Sequence, residues 1–189
     1  MAGTREEYLQ SVTIGAIVRH DGPIMLAPYD PAWPSRYAAI AQKVRGALGA
    51  RVLLLEHVGS TSIPGLCAKP IIDMVMAVAD SGDEASYVPA LEGAGFRLTI
   101  REPEWHAHRL LKPPDVDGNL HVFSRECGEI GRMLRFRDRL RTHDEDRRAY
   151  EERKRALAAR RWKHVQDYAD EKTQVVEEIL ARAFSPARR

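Results

Sequence analysis

Cysteine is scarce in this chain: the two among its 189 residues, Cys67 and Cys127, stand far apart and lack CxxC or Cys/His spacing. Neither a disulfide framework nor a structural zinc site is suggested, and two reduced thiols in the cytosol is the simplest reading. Long apolar runs are missing as well. No segment approaches the roughly 20 apolar residues of a membrane-spanning helix, and the opening MAGTREEYLQSVTIGAIVRH has no basic start, apolar stretch and small-residue cleavage site. A soluble cytoplasmic protein is expected. Charge of one sign is also lacking, since 30% of residues are charged but the net is only +2. That argues against a disordered tail and a dedicated basic nucleic-acid binder, and no helix-turn-helix or zinc signature points to DNA. There is no internal repeat or low-complexity segment.

The chain is 44% hydrophobic, enough for one good core. Residues 1–20 read as an N-terminal arm, 21–127 as an α/β core, 128–184 as a helical extension packed on that core, and 185–189 as a frayed tail. Residues 22–34, with four prolines, suit a short strand and a rigid approach to a helix. That helix starts near Pro34, carries Tyr37, Ile40, Ala41, Val44 and Leu48 as one stripe, and stops at Gly49. A strand over 52–58 follows, then a turn-rich loop, Gly59-Ser60-Thr61-Ser62-Ile63-Pro64-Gly65, then a strand over 71–78. A helix is expected over 83–95, strands over 96–101 and 105–111, and a strand over 120–123 hairpin-paired to the one before it. From about Glu129 the composition turns to Arg, Glu, Ala and Leu at helical intervals, which predicts two or three helices.

One carboxylate interrupts the apolar strand over 71–78. Asp73 shares a strand face with Ile71, Val75 and Ala77, so it needs an explanation beyond solvation. A Gly59-Ser60 turn at the end of one strand, with an acid on the next, is the layout by which nucleotidyltransferases hold phosphate oxygens and magnesium. Phosphoryl transfer needs little more than positioning and charge neutralisation, which is why the pattern carries meaning.

The segment from Glu56 to Asp73, EHVGSTSIPGLCAKPIID, closely resembles the signature of the GrpB family. Pro28-Tyr29-Asp30-Pro31 with Trp33-Pro34, Leu120-His121-Val122, Phe136-Arg137-Asp138 with Leu140-Arg141, and Tyr150 with Lys154 and Leu157-Ala158 are similar to that family too, so the resemblance spans about 24–183. It implies a nucleotidyltransferase-like α+β fold, a mixed β-sheet flanked by helices with a C-terminal helical extension. Members of the wider fold carry an Asp-x-Asp/Glu pair, but Val75 stands two residues after Asp73. The later strand that would bring a third acid offers His121 instead, which binds metal without adding negative charge.

The expected reading is therefore a phosphorylated or nucleotide substrate held against Gly59, Ser60, Thr61 and Ser62, with Asp73 as metal ligand, for Mg2+, or as base. Glu56 and His57 are adjacent on a strand, so at most one of them faces the site. Lys69 brings charge to the same loop. His106 and His108 are expected on one strand face, near enough to His121 to imagine a transition-metal site, and His108-Arg109 is expected as a cationic wall. In the helical extension, Arg137, with Asp138 beside it, and Lys154 are the expected phosphate-neutralising residues, with Lys172 after them. Two alternatives fit the missing acid. One is aminoacyl transfer from aminoacyl-tRNA, including cyclic dipeptide formation, with Glu56, Asp73 or His121 as acid or base. The other is a non-catalytic domain that senses a nucleotide or scaffolds a partner.

Overall fold

The computed structural model describes residues 4–17 and 22–184. The expected frayed tail at 185–189 and parts of the N-terminal arm lie outside the described residues. The order of elements is α1 (Arg5–Val12), α2 (Trp33–Leu48), β1 (Leu54–Val58), β2 (Ile72–Val78), α3 (Val88–Gly93), β3 (Arg97–Glu102), β4 (His108–Lys112), β5 (Gly118–Ser124), α4 (Gly128–Thr142), α5 (Asp144–Ala158), α6 (Val165–Asp170) and α7 (Thr173–Phe184).

The five strands form one mixed sheet in the order β1-β2-β5-β4-β3, in which only β2 and β5 run parallel. This is the α+β architecture expected. One face of the sheet carries Ile72, Met74, Met76, Leu111, Leu120 and Val122 into the main core, where they meet Ile40, Val44 and Leu48 of α2 and Leu91 of α3. The other face carries Val58, Val75, Ala77 and Phe123 against Ile130 of α4. Farther along α4, Leu140 joins Ile63, Leu66, Tyr150 and Ile179 in a separate cluster that ties the helical extension to the loop after β1.

Several expectations needed correcting. The helix expected over 83–95 is a single 3-10 turn at Glu84–Ser86 followed by the short α3. Pro89 is the reason, because it has no N–H to donate to the preceding turn and so can only sit at a helix start. The strand expected to begin at Trp105 begins at His108, since His106 and Ala107 take left-handed φ values of 56° and 48° in the preceding turn. In place of a strand, residues 22–34 contribute isolated bridges, Gly22 with Trp162 and Ala27 with Ala68. The arm holds a helix, α1, whose start was readable in the sequence: the Thr4 hydroxyl accepts from the Glu7 amide while the Glu7 carboxylate accepts from the Thr4 amide. No helix among the described residues is long and apolar enough to cross a membrane.

Candidate functional site

Strand register decides which polar side chains share the α4 face of the sheet. Glu56 pairs with Val75 and Val58 with Asp73, while Asp73 pairs with Asn119 and Val75 with His121. Leu110 of β4 lies beside His121, so His108 and Lys112, two residues either way, point to the same face. Asp73, Asn119, His121, His108 and Lys112 thus line one side of the sheet.

Asp73 is the floor of this region. Its Oδ1 accepts a 2.7 Å hydrogen bond from Asn119 Nδ2, whereas Oδ2 has no donor among the described residues. Protein surrounds the group on most sides, and that burial raises the carboxyl above its ordinary range, opposed by the Asn119 hydrogen bond and by the charges of Lys172, Lys112 and Lys69. Gly59 closes the site from above. With φ at 66° it occupies backbone that side chains avoid, and a Cβ there would stand 2.5 Å from Asp73 Oδ2. The glycine is therefore needed by the carboxylate as well as by the turn.

Lysines converge on this floor from three directions. Lys69 comes from the segment before β2, Lys112 from the end of β4 and Lys172 from the link between α6 and α7. Desolvation first, and then the charge of Lys172, lower the Lys69 pKa. Among the described residues Lys69 and Lys172 make no ion pair, although Lys172 sits 4.4 Å from the Tyr168 ring centre. Lys112 is 3.7 Å from Asp117. Lys154 lies deeper, 2% exposed, donating to the Cys67 carbonyl at 2.5 Å. Burial, then Lys172, bring its pKa down to about 7, with Cys67, Glu151 and Asp73 opposing.

On the far side of Asn119 runs a second polar chain. His121 Nδ1 lies 3.0 Å from His108 Nε2, and His108 Nδ1 lies 2.6 Å from Glu102 Oε2. The Tyr8 hydroxyl of α1 donates to the other Glu102 oxygen. Burial, then the charges of His108 and Lys112, push His121 down to about 3, so its ring is neutral at physiological pH. His121 is partly exposed, and its Nε2 has no partner among the described residues.

With this geometry in place, the chain can be set beside known proteins. The model of the family described as GrpB protein matches residues 23–182. The chain belongs to the GrpB family. A UPF0157 protein of Halalkalibacterium halodurans is 53% identical over 178 residues, covering 94% of this chain and 91% of that one. Another UPF0157 protein, from Streptomyces coelicolor, is 45% identical and covers 87% of each chain. The crystal structure of GrpB from Enterococcus faecalis superposes with a TM-score of 0.70 at 29% identity, over 84% of this chain and 96% of that one.

In this GrpB chain several expected site residues serve the fold. Arg137 is 9% exposed; its Nη1 donates to Glu56 at 2.8 Å and to the His57 carbonyl at 3.0 Å, and its Nε donates to Asp138 at 2.8 Å. It rivets α4 to β1, which leaves little of the guanidinium for phosphate. Arg141 donates twice to the Ser62 carbonyl, at 3.0 and 2.8 Å, and so fixes the loop. His57 faces the other way and stacks on Tyr37 of α2 at 4.9 Å. Thr61 donates to the Ile71 carbonyl at 3.1 Å and accepts from His57 Nε2 at 3.0 Å, while the Ser62 hydroxyl donates to the Gly59 carbonyl at 2.6 Å. Of the three hydroxyls only that of Ser60 makes no hydrogen bond among the described residues.

His108 and Arg109 do not form one wall. Arg109 points to the opposite face, beside Val122, and is bound by Glu84. His106 is displaced by the turn from the strand face of His108, and among the described residues no three His, Cys, Asp or Glu side chains gather as they would around a metal ion. Sequence reasoning missed Asn119, Lys112 and Glu102. Asn119, two residues before His121, could have been found by the alternation that placed Asp73, but its pairing with Asp73 depends on β5 entering beside β2.

Proposed function

We propose that this domain is a nucleotidyltransferase-like enzyme that binds a phosphorylated or nucleotide substrate over Asp73, against the Gly59-Ser60 turn. One observation carries the reading: among the described residues Lys69 and Lys172 make no ion pair, and with Lys112 they surround a single carboxylate, one of whose oxygens has no donor. The excess of positive charge favours an anion, and a partly enclosed cleft screens that charge less than bulk water does. The free Ser60 hydroxyl adds a donor at the same edge. Val75, where the wider fold carries its second acid, is fully buried beneath α4. With one acid in place of two, Asp73 would be the protein ligand for a single magnesium ion brought by the substrate's phosphates, a mode suited to magnesium's habit of keeping phosphate and water ligands.

Calorimetric titration of nucleoside mono-, di- and triphosphates, with and without magnesium, tests the reading. Lys69→Ala and Lys172→Ala should each weaken binding about tenfold, equivalent to roughly 1.4 kcal/mol, and Asp73→Asn should remove the magnesium dependence. Absence of binding for every nucleotide at millimolar concentration would sink it. A non-catalytic nucleotide sensor is the second reading, favoured by the buried Val75; it predicts binding without turnover and with no effect of magnesium.

A further inference from the structure

The polar chain beside Asp73 has a direction. Glu102 on β3 holds His108 on β4, which holds His121 on β5, at 2.6 and 3.0 Å, and the third ring, partly exposed, ends with a nitrogen that has no partner among the described residues. His108 is 3% exposed, stacked on Phe123 at 4.8 Å between ring centres and capped edge-on by Trp105 at 5.2 Å. Water is therefore kept from it, and both of its ring nitrogens are already engaged by Glu102 and His121.

Hydrogen-bond polarity follows from chemistry. An ionised Glu102 only accepts, and the Tyr8 hydroxyl already donates to it. His108 must then carry its proton on Nδ1, leaving Nε2 as an acceptor. His121 must donate from Nδ1, which leaves a bare lone pair on Nε2, on the face that also carries Asp73 and Asn119.

We propose that Glu102, His108 and His121 form a proton relay in which His121 Nε2 is the base of the cleft and His108 is where the charge comes to rest. The proposal rests on the reading of the Asp73 cleft as a substrate site and adds the group that activates the nucleophile. A substrate hydroxyl gives its proton to His121 Nε2; the proton on His121 Nδ1 moves to His108 Nε2. The substrate is left as the oxyanion, His121 is again neutral, and His108 is an imidazolium against the Glu102 carboxylate. No electrons change hands, and one proton has moved from oxygen to the His108 ring.

This division resolves an apparent conflict. Burial and the facing charge of Lys112 make His121 a poor place for a resident charge, yet a base need only pass the proton on. Glu102 from β3 is the anion that faces the charge on His108, and Lys112 from β4 opposes its staying on His121. His121 is then a catalytic residue, and His108 and Glu102 are positioning residues.

Long-range proton–nitrogen spectra of the full chain report which ring nitrogen is protonated. Near neutral pH the expected pattern is His121 protonated on Nδ1 and bare at Nε2, with His108 protonated on Nδ1. On mild acidification His121 should stay neutral. Glu102→Gln should scramble both tautomers while circular dichroism stays that of the wild type. Diethyl pyrocarbonate, read by peptide mass, should modify His121 in the wild type and spare the sealed His108. A wild-type His121 protonated on Nε2, or a pattern unchanged in Glu102→Gln, overturns the relay whether or not nucleotides bind. The expected pattern with no nucleotide binding leaves the relay standing and overturns the substrate assignment.

Discussion

Replacing Gly59 by alanine perturbs the turn and the carboxylate at once, and the two costs can be separated. Gly59 has φ 66° and ψ −174°, a combination essentially restricted to glycine, so alanine carries backbone strain of about 1–3 kcal/mol. The new methyl would stand 2.5 Å from Asp73 Oδ2, 2.9 Å from its Cβ and 3.1 Å from its Cγ. Asp73 must then rotate and give up the 2.7 Å hydrogen bond from Asn119, which adds roughly 1.5–3 kcal/mol for a bond to a charged group. Together Gly59→Ala should cost about 2.5–6 kcal/mol, read as a lower urea midpoint with unchanged slope. In an Asp73→Ala background the hydrogen bond is already gone and two of the three close contacts are removed, so the cost should fall by roughly 1.5–3 kcal/mol while the strain remains. A loss below about 1 kcal/mol in the wild type, or the same loss in both backgrounds, would refute the claim that Gly59 is glycine because of Asp73.

Two further outcomes follow from the contacts that hold the site in place. Arg137→Ala leaves the buried His57 carbonyl without its donor and frees Glu56, which is half-exposed and recovers water; the expected loss is roughly 1–3 kcal/mol, seen as a lower melting temperature and only partly restored by lysine, which lacks the guanidinium fork. His57 has its pKa lowered to about 4 by burial, then by Arg141 and Arg137. Its folded value lies below its unfolded 6.5, so the unfolded chain binds the proton first; this stability is complete above pH 6.5 and drains away as pH falls towards 4. At about 1.4 kcal/mol per unit this comes to roughly 3.5 kcal/mol, and the urea midpoint of His57→Phe, which keeps the stacking on Tyr37, should show a correspondingly flatter acid limb.

Local chemistry made much of the fold legible. The stripe on α2 and its stop at Gly49, the apolar strand bearing Asp73, and the hairpin of β4 with β5 all follow from spacing within a few residues. Where reading failed, a single residue usually overruled a periodic pattern. Pro89 cut one helix short, and left-handed backbone at His106 and Ala107 delayed a strand. Joining His108 to Arg109 as one surface ignored the same two-residue alternation that correctly set Glu56 against His57, so that error was avoidable from sequence alone.

The site was harder to read because its members meet through sheet order. Asp73 has Asn119 and His121 on the strand beside it only because β5 enters parallel to β2, and Lys112 arrives one strand farther on; nothing in their sequence separation announces this. The helical extension shows the converse. Arg137 and Asp138 lie in a family-like segment, which invites a ligand role, yet Arg137 uses its Nη1 to hold β1 and its Nε to hold Asp138 of its own helix. A buried arginine that satisfies a strand carbonyl and an arginine that clamps phosphate have the same signature in sequence, and only burial separates them. By that criterion the positive charge left facing Asp73 is that of Lys69, Lys112 and Lys172, which remain partly exposed, whereas Arg141 is taken up by the Ser62 carbonyl and fixes the loop.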